Sequence, residues 1–285
     1  MPELPEVETI RQDLKKKIVN KKITNVLITT KARTNLSRNK FASELKGETV
    51  KDVDRVGKLL IFVLPDEKYL LIHLKMTGQL IYQKGKKIIP GGHHDLSTVS
   101  DLPNKFTRIT FEFSDGGRLF FNDMRRFGYL KIVDSKELEK VKSKFGIEPL
   151  AKDFTIDNFK KALQGRKTNI KALLLNQQIF AGIGNIYADE ACFDAGIRPD
   201  TQVSELSSVQ VNKLYKSVQK IIKKAIEMRG TTFNNYRDSD GNQGNFVQHL
   251  KVYGRAGLKC KRCSGIIEKT RVAGRGTHHC SKCQK

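Results

Sequence analysis

Residues 59–83 read LLIFVLPDEKYLLIHLKMTGQLIYQ, and our prediction for the first half of the chain starts from these residues. It holds three short runs rich in leucine, β-branched and aromatic residues, which is typical of strands. Comparable runs lie on both sides of it: ITNVLITT (23–30), RITFEF (108–113), RLFFND (118–123) and YLKIV (129–133). Ser-Asp-Gly-Gly at 114–117 predicts a hairpin between two of them. Many short strands separated by turns indicate a sandwich or a barrel.

The segments on either side of these strands have a different pattern. Residues 5–18 predict a helix, because Val7, Ile10, Leu14 and Ile18 recur at helical spacing. Residues 84–105 lack any periodicity, so we expect a long loop there.

Beyond about Asp134 the spacing of apolar residues becomes helical. The predicted helices are TIDNFKKALQG (155–165), NIKALLLNQ (169–177), NIYADEACFDAGI (185–197) and the apolar stripe from Val211 to Ile226. Thr155 is the expected N-cap of the first, and Gly165, Gly196 and Gly230 are expected to end helices. The glycine-containing segment 180–184 between the second and third predicts a helix–turn–helix arrangement.

The charge of the chain points to a polyanionic partner. The 285 residues include 53 Lys and Arg against 30 Asp and Glu, a formal charge of +23. Nucleic acid is the first candidate and an anionic membrane surface the second. The basic residues are spread along the chain, and no apolar run reaches the roughly 18 residues of a membrane helix. We therefore expect no membrane association and no secretion signal.

Four of the five cysteines form two C-x-x-C pairs, Cys260/Cys263 and Cys280/Cys283, separated by 16 residues. Each pair can bind one edge of a tetrahedral ion, and the intervening stretch is long enough for a hairpin. Four thiolates fill the coordination shell, so we expect one structural zinc ion. Disulfides or free thiols are the alternative. We expect Cys192 to be a small buried hydrophobe.

The N-terminus offers a nucleophile. Removal of Met1 would leave Pro2 with a free secondary amine, a group partly neutral near physiological pH. Glu3 and Glu6 are spaced to share a helix face, and one of them could donate a proton beside the amine. The alternative, which composition alone favours, is that these residues only start and cap a helix.

The nine residues MPELPEVET (1–9) resemble the N-terminus of bacterial formamidopyrimidine-DNA glycosylases almost letter for letter. Further motifs follow in the order of that family over essentially the whole chain. They are a lysine loop (57–60), a methionine-bearing turn (73–78), an arginine–phenylalanine loop (123–128), a helix–two-turn–helix signature (181–187), and Val252–Arg255 with Arg275 in a zinc finger.

The resemblance implies an α+β multidomain fold in four parts. These are an N-terminal catalytic β-sandwich with flanking helices (1–133), a helical helix–two-turn–helix domain (134–230), a lesion-recognition loop and connector (231–249) and a C-terminal zinc-finger β-hairpin (250–285). It implies a bifunctional glycosylase and lyase of base excision repair that removes oxidised purines through a Schiff base, followed by β,δ-elimination.

The same resemblance assigns residues. Pro2 is the expected nucleophile, Glu3 the acid/base and Lys58 an assistant near the sugar and phosphate. The expected DNA contacts are His73, Met76, Arg125, Phe127, Lys171, Asn185 and Arg275. Among them Met76, Arg125 and Phe127 would fill the gap left by a flipped base, while Lys171, Asn185 and Arg275 would hold the phosphate backbone. Glu6 would shape the site.

The implied partner is double-stranded DNA with oxidised or abasic lesions. The implied cofactor is one Zn²⁺, and the implied state is a monomer in the bacterial cytoplasm at the nucleoid.

Taken singly, each of these residues has an ordinary alternative. Met76 and Phe127 would be core residues, Lys58 a solvated charge and Asn185 a helix N-cap.

Two departures from the family pattern bear on substrate preference. Lys105–Arg108 reads KFTR where relatives often carry a histidine-containing stretch, and Arg108 could replace a phosphate contact. The loop at 84–105 is longer than usual. An endonuclease VIII-like enzyme for oxidised pyrimidines and a non-catalytic lesion-binding protein are the alternatives. Leu4 and the set of Met76, Arg125 and Phe127 favour the purine-directed branch.

Overall fold

The computed structural model describes residues 1–92, 101–231 and 246–285, and it divides the chain into two compact units. The first contains Met1–Ser143 and resumes at Arg229, and the second contains Lys144–Met228 and resumes at Phe246. This division into two units does not test the four parts expected from the sequence, so their boundaries stay a prediction.

The first unit is built mainly of antiparallel strands. In chain order they are β1 (Ile23–Ile28), β2 (Asp52–Val56), β3 (Leu59–Val63), β4 (Tyr69–His73), β5 (Gly78–Lys84), β6 (Lys87–Gly92), β7 (Thr107–Phe113), β8 (Arg118–Asp123) and β9 (Tyr129–Val133). The helices are α1 (Leu4–Ile18), α2 (Arg38–Leu45) and α3 (Ser135–Lys142). One sheet has the order β1-β7-β8-β5-β6 and the other β2-β3-β4-β9.

The two sheets share one hydrophobic core, which confirms the predicted sandwich. Leu60 and Ile72 of the four-stranded sheet are fully buried in the same cluster as Ile109 and Phe121 of the five-stranded sheet. The alternation of inward and outward side chains along antiparallel strands produces this arrangement. The predicted hairpin at residues 114–117 joins β7 to β8.

The expectation of a loop over residues 84–105 is wrong at its start. Residues Lys87–Gly92 form β6, which pairs with β5 across the two-residue turn of Gly85 and Lys86. The sequence of β6 contains proline and glycine and therefore lacks a strand-like pattern. These residues are tolerated because β6 is an edge strand. A Cβ on Gly91 would lie 2.8 Å from Ile10 Cγ1, so α1 crosses β6 where glycine leaves room. Residues 93–100 lie outside the described ones.

The second unit begins with helices. They are α4 (Ile156–Leu163), α5 (Ile170–Leu175), α6 (Asn185–Ala195), α7 (Ser208–Glu227) and α8 (Phe246–His249), followed by the hairpin of β10 (Ile267–Val272) and β11 (Arg275–Cys280). Thr155 caps α4 by accepting the Asn158 amide, and Gly196 ends α6 in the left-handed conformation, as predicted. No helix among the described residues has the length and apolar character needed to cross a bilayer.

An ion-pair network attaches α1 to the sandwich. The Glu8 carboxylate lies 2.6 Å from both the Arg11 and the Arg55 guanidinium, and Arg55 belongs to β2. Burial opposes ionisation of Glu8, but the hydrogen bonds and charges of Arg11 and Arg55 outweigh it and lower its pKa to about 2. Glu8 therefore stabilises the fold as a carboxylate.

We expect Glu8→Gln to lower the free energy of unfolding at neutral pH, by on the order of 2 kcal/mol. The folded pKa is below the unfolded value of 4.5, so this contribution is complete above pH 4.5 and disappears as pH falls towards 2. Denaturant titrations of both proteins between pH 7 and pH 2 should therefore converge. Glu139→Gln, at an exposed carboxylate, is the control. A difference that does not change with pH would contradict this role for Glu8.

Candidate active site and nucleic-acid interface

The predicted nucleophile lies at the buried start of α1. Pro2 and Glu3 are both buried, and Glu3 is the N-cap residue of the helix. The Glu3 backbone N–H donates to Glu6 Oε2 at 2.9 Å, one half of a capping box. Starting the helix and presenting the N-terminus are therefore compatible roles, and the sequence had set them against each other.

Burial also changes the chemistry of the α-amino group. The pKa of the Met1 amine is lowered, chiefly by burial and further by the Lys58 charge, while Glu3 and Glu6 oppose this shift. A lower pKa leaves more of the amine neutral and nucleophilic. Removal of Met1 would transfer the free amine to Pro2, next to the same groups.

Lys58 lies in the turn between β2 and β3 and is only 5% exposed. The alternative of a solvated surface charge is therefore wrong. Gly57 before it has φ +54°, a left-handed conformation that glycine adopts readily. A buried ammonium costs free energy unless it interacts with other polar groups. The Lys58 charge acts on the α-amino group, so we place Lys58 in the same site.

Glu6 connects α1 to the chain that resumes at Arg229. Its Oε1 accepts the Thr231 amide at 2.7 Å and the Thr231 hydroxyl at 3.0 Å. Gly230 has φ +81°, and a Cβ there would lie 2.7 Å from Glu6 Oε1. Glu6 thus fixes the start of the segment expected to recognise the lesion, of which residues 232–245 lie outside the described residues.

His73 ends β4 and is held as a neutral ring. Burial lowers its pKa to about 3, and the charges of Lys75 and Lys58 add to this shift. Its Nδ1 accepts the Lys75 backbone N–H at 3.0 Å, so the ring hydrogen of the neutral form is on Nε2. Nε2 can therefore donate to an anion.

The expected gap-filling side chains are exposed on two turns of the first unit. Met76 lies between β4 and β5 with 39% of its surface exposed, and Phe127 lies between β8 and β9 with 44% exposed. The alternative of core residues is therefore wrong for both. The Arg125 guanidinium stacks on the Phe127 ring at 4.8 Å, which presents a flat cationic and aromatic surface.

The sequence suggested Arg108 as a substitute phosphate contact, and the structure places it otherwise. The side chain is 6% exposed, its Nε donates to the Asp123 carbonyl at 2.9 Å and its Nη1 donates to the Lys105 carbonyl at 3.0 Å. Burial lowers the pKa of Arg108. The charge of Asp123 opposes this shift, and the charge of Arg126 adds to it. Arg108 is an internal support.

In the second unit, two tight turns join α5 to α6. The Gln177 side chain donates to the carbonyls of Leu175 and Ile183 and accepts the Gly182 amide. Gly182 has φ +90°, which explains the glycine there. The sequence predicted helices separated by glycine, but gave no sign that a glutamine would close both turns.

Asn185 and Lys171 meet the start of β11. Asn185 Nδ2 donates to the Gly276 carbonyl at 3.0 Å, and α6 is capped by Gly184, so Asn185 is not its N-cap. Lys171 is fully buried, with its ammonium 2.6 Å from Asp189 and 2.7 Å from the Thr277 hydroxyl. A direct phosphate contact does not fit this placement, because the whole side chain is enclosed. Both residues bond to Gly276, next to the exposed Arg275, and the phosphate contact of Asn185 stays a prediction.

The four cysteines fit a tetrahedral zinc ion. Their sulfurs lie within 4.8 Å of one another, with Cys263 and Cys280 3.5 Å apart and Cys260 and Cys283 3.8 Å apart. Zn–S bonds of about 2.3 Å in a tetrahedron require sulfur separations of about 3.8 Å. A disulfide would need about 2.05 Å. The arrangement supports one structural zinc ion with no open coordination position.

Comparison with known proteins gives matches over nearly the whole chain. Three family profiles match: the formamidopyrimidine-DNA glycosylase N-terminal domain over residues 1–130, the H2TH domain of the same glycosylase over residues 145–237, and a zinc finger found in that glycosylase and in IleRS over residues 257–285.

Full-length relatives carry the same name. A formamidopyrimidine-DNA glycosylase of Pelotomaculum thermopropionicum is 38% identical over 288 residues, covering 100% of this chain and 99% of that protein. One from Carboxydothermus hydrogenoformans is 39% identical over the full length of both. A solved Lactococcus lactis Fpg in complex with DNA containing an abasic site has a TM-score of 0.88 at 35% identity, covering 99% of both chains. Another, with DNA containing Fapy-dG, has a TM-score of 0.86 at 34% identity.

We expect the zinc ion to be required for the stability of the second unit. We expect Cys263→Ser to reduce the zinc content from one ion per chain towards zero, because three thiolates leave the tetrahedral shell incomplete. Metal analysis and thermal unfolding measure both effects. Cys192→Ala is the control, since Cys192 is buried away from this cluster. A full zinc content in Cys263→Ser would show that the metal is held by other ligands.

Proposed function

The chain belongs to the formamidopyrimidine-DNA glycosylase family and is a DNA glycosylase of base excision repair, and we propose that it removes oxidised purines from duplex DNA and then nicks the strand. The observation that carries the proposal is the start of the chain, where Pro2 and Glu3 are buried and the charges of Glu3, Glu6 and Lys58 act on the α-amino group. The Lactococcus lactis relatives bind abasic-site and Fapy-dG DNA, and we extend that substrate class to this chain.

The reaction we propose begins with the amine of Pro2. Its lone pair attacks C1′ of the damaged nucleotide, and the bond from C1′ to the base breaks with its electrons leaving on the base, which takes up a proton. Glu3 takes the N–H proton from the attached nitrogen and delivers it to the sugar ring oxygen, so that the ring opens and the nitrogen lone pair forms an iminium ion between Pro2 and C1′. The iminium acidifies C2′. Loss of its proton expels the 3′ phosphate, a second elimination expels the 5′ phosphate, and water releases Pro2.

Base extrusion is the second part of the proposal. Flipping a nucleotide costs a few kcal/mol of stacking and pairing, and side chains inserted in its place offset part of this. Met76 supplies an apolar side chain, and the stacked pair of Arg125 and Phe127 supplies a flat one with hydrogen-bond donors for the opposite base. Their exposure in the free protein supports this role, because they make little internal packing.

Backbone contacts complete the proposed interface. His73 can donate from Nε2, and Arg275 presents an unburied guanidinium at the start of β11. Lys171 and Asn185 act through Gly276 and Thr277 to hold that turn. The net charge of +23 supports binding along the phosphate backbone. It also supports our proposal that the protein acts at the bacterial nucleoid.

Borohydride trapping tests the nucleophile. On duplex DNA with one 8-oxoguanine opposite cytosine, we expect a covalent protein–DNA adduct. Peptide mapping should place the attached nucleotide on Pro2. Pro2→Gly should reduce the adduct at least on the order of tenfold, because the secondary amine is lost. Pro5→Ala is the matched control, since Pro5 lies in the first turn of α1. Full trapping by Pro2→Gly would contradict the assignment.

The same experiment separates the alternatives. An adduct with an oxidised pyrimidine or an abasic site, but none with 8-oxoguanine, would favour the endonuclease VIII-like enzyme. Tight binding with no adduct on any of these duplexes would favour a non-catalytic lesion-binding protein.

Salt dependence tests the backbone contacts. Arg275→Ala should weaken binding about equally for all sequences and reduce the slope of log K against log salt by about 1. Arg198→Ala is the control, because its exposed guanidinium is already paired with Asp200. Equal slopes for Arg275→Ala and the unmodified protein would remove Arg275 from the proposed phosphate contacts.

A further inference from the structure

One buried carboxylate lies at the base of both turns that carry the proposed gap-filling side chains. Asp123 is the last residue of β8 and is 1% exposed. It is directly opposite Gly78, the first residue of β5. The turn containing Met76 therefore ends beside Asp123, and the turn containing Arg125 and Phe127 starts from it.

The two oxygens of Asp123 are divided between these turns. Oδ1 accepts the Thr77 hydroxyl and also the Arg125 backbone N–H at 3.2 Å. Oδ2 accepts the Gly128 backbone N–H at 2.7 Å. The Arg125 N–H also lies 3.0 Å from Thr77 Oγ1, so hydroxyl and carboxylate share it. These bonds hold the residue after Met76 and residues on both sides of Phe127.

Both turns contain backbone that is unfavourable for their residues. Lys75 has φ +51° and Arg126 has φ +59°, although neither is glycine. A side chain in this region raises the energy, and such conformations persist where surrounding contacts impose them. Since Met76 and Phe127 are exposed, packing of these two side chains gives little of that restraint. Around Arg126 the hydrogen bonds from Arg125 and Gly128 to Asp123 provide it. In the other turn the Lys75 N–H donates to His73 Nδ1, and Asp123 holds Thr77 two residues further on.

Asp123 is itself held from behind. Arg108 Nε donates to its carbonyl at 2.9 Å, and its own N–H donates to the Phe106 carbonyl at 2.9 Å. On the other side, a Cβ added to Gly128 would lie 3.1 Å from Asp123 Oδ2 and 2.7 Å from Phe121 Cζ. The carboxylate therefore has a fixed position, with no room for the second turn to shift towards it.

We propose that Asp123, with Thr77, is a positioning residue that fixes the spacing between the Met76 turn and the Arg125–Phe127 turn before DNA binds. The inference rests on the proposed function, because it assigns a purpose to the gap-filling set. Turns already held in one arrangement lose less conformational entropy when their side chains enter the duplex. Asp123 itself touches neither DNA nor the reacting atoms in this role.

Two variants test whether Asp123 and Thr77 tether the two turns to each other, and they carry different risks to folding. Thr77→Val keeps the shape of the side chain and removes its hydroxyl. Asp123→Asn replaces one carboxylate oxygen by an amide, which cannot accept the N–H groups of both Arg125 and Gly128. Thr77→Ser should restore the hydrogen bond. Asp115→Asn is the matched control, since Asp115 accepts the Gly117 N–H at the opposite end of the β7–β8 hairpin.

The readout is the ratio of two rates measured on each protein. One is the excision of 8-oxoguanine from duplex DNA under single-turnover conditions, which requires extrusion and gap filling. The other is strand cleavage of a single-stranded abasic oligonucleotide, which requires neither. We expect Thr77→Val and Asp123→Asn to lower this ratio on the order of tenfold or more, because small misplacements of positioning groups have effects of this size. Thr77→Ser and Asp115→Asn should keep the ratio.

The outcomes are distinct. An unchanged ratio in both variants would overturn the tether, and so would a parallel loss of both rates, which indicates a general structural defect. If the unmodified protein excises nothing and forms no adduct, the proposed function fails and this inference fails with it. If the unmodified protein is active and Thr77→Val and Asp123→Asn show the same ratio of rates as it does, this inference fails and the proposed function stands.

Discussion

A buried, polar N-terminus is the constraint on which the first unit depends. Pro2 and Glu3 are enclosed together with the Lys58 side chain, and enclosing charged groups costs free energy unless other polar groups compensate. The compensation comes from α1. Glu6 accepts the backbone N–H groups of Glu3 and Thr231. Further along the helix, Glu8 binds two guanidinium groups and so attaches α1 to β2. The apolar face of α1 then fixes this arrangement against the sandwich. The capped helix α1 therefore also supports the candidate active site.

Buried carboxylates repeat this solution elsewhere. Asp123 holds two turns of the first unit, and in the second unit Asp189 receives the Lys171 ammonium and the His278 backbone N–H. Glu190 accepts the consecutive amides of Lys251, Val252 and Tyr253 just before the zinc module. In each case an acidic side chain satisfies backbone donors that a turn leaves without partners. A protein with 53 basic residues thus places several of its fewer acids inside, where they order the chain without reducing its surface charge.

The two units achieve local rigidity in different ways. The sandwich has a large core drawn from both sheets, whereas the C-terminal hairpin buries few apolar residues and relies on its four cysteines. Small modules of this kind generally need a metal or disulfides to fold. The turn that carries Arg275 lies at the far end of this hairpin from the cysteines. Lys171 and Asn185 supply the hydrogen bonds that hold it there.

Local sequence patterns were enough to predict the strongly apolar strands, the helices α1 and α4 to α7, the cysteine site and, by resemblance, the family. These features depend on local periodicity, on spacing, or on strings long enough to be specific. The short helices α2 and α3 were missed. The strands β2 and β6 were missed too, because a polar strand and an edge strand with glycine and proline lack a strand-like pattern.

The roles of single charged residues depend on tertiary contacts that the sequence does not show. Lys171 and Arg108 were expected to contact phosphates and are enclosed. The sequence assigned no individual role to Asp123, Thr77, Asp189 or Gln177. A charged letter in a sequence does not reveal whether its side chain meets water or a backbone group distant along the chain. Burial and hydrogen-bond partners are set by contacts between segments far apart in sequence, and these exist only once the chain has folded.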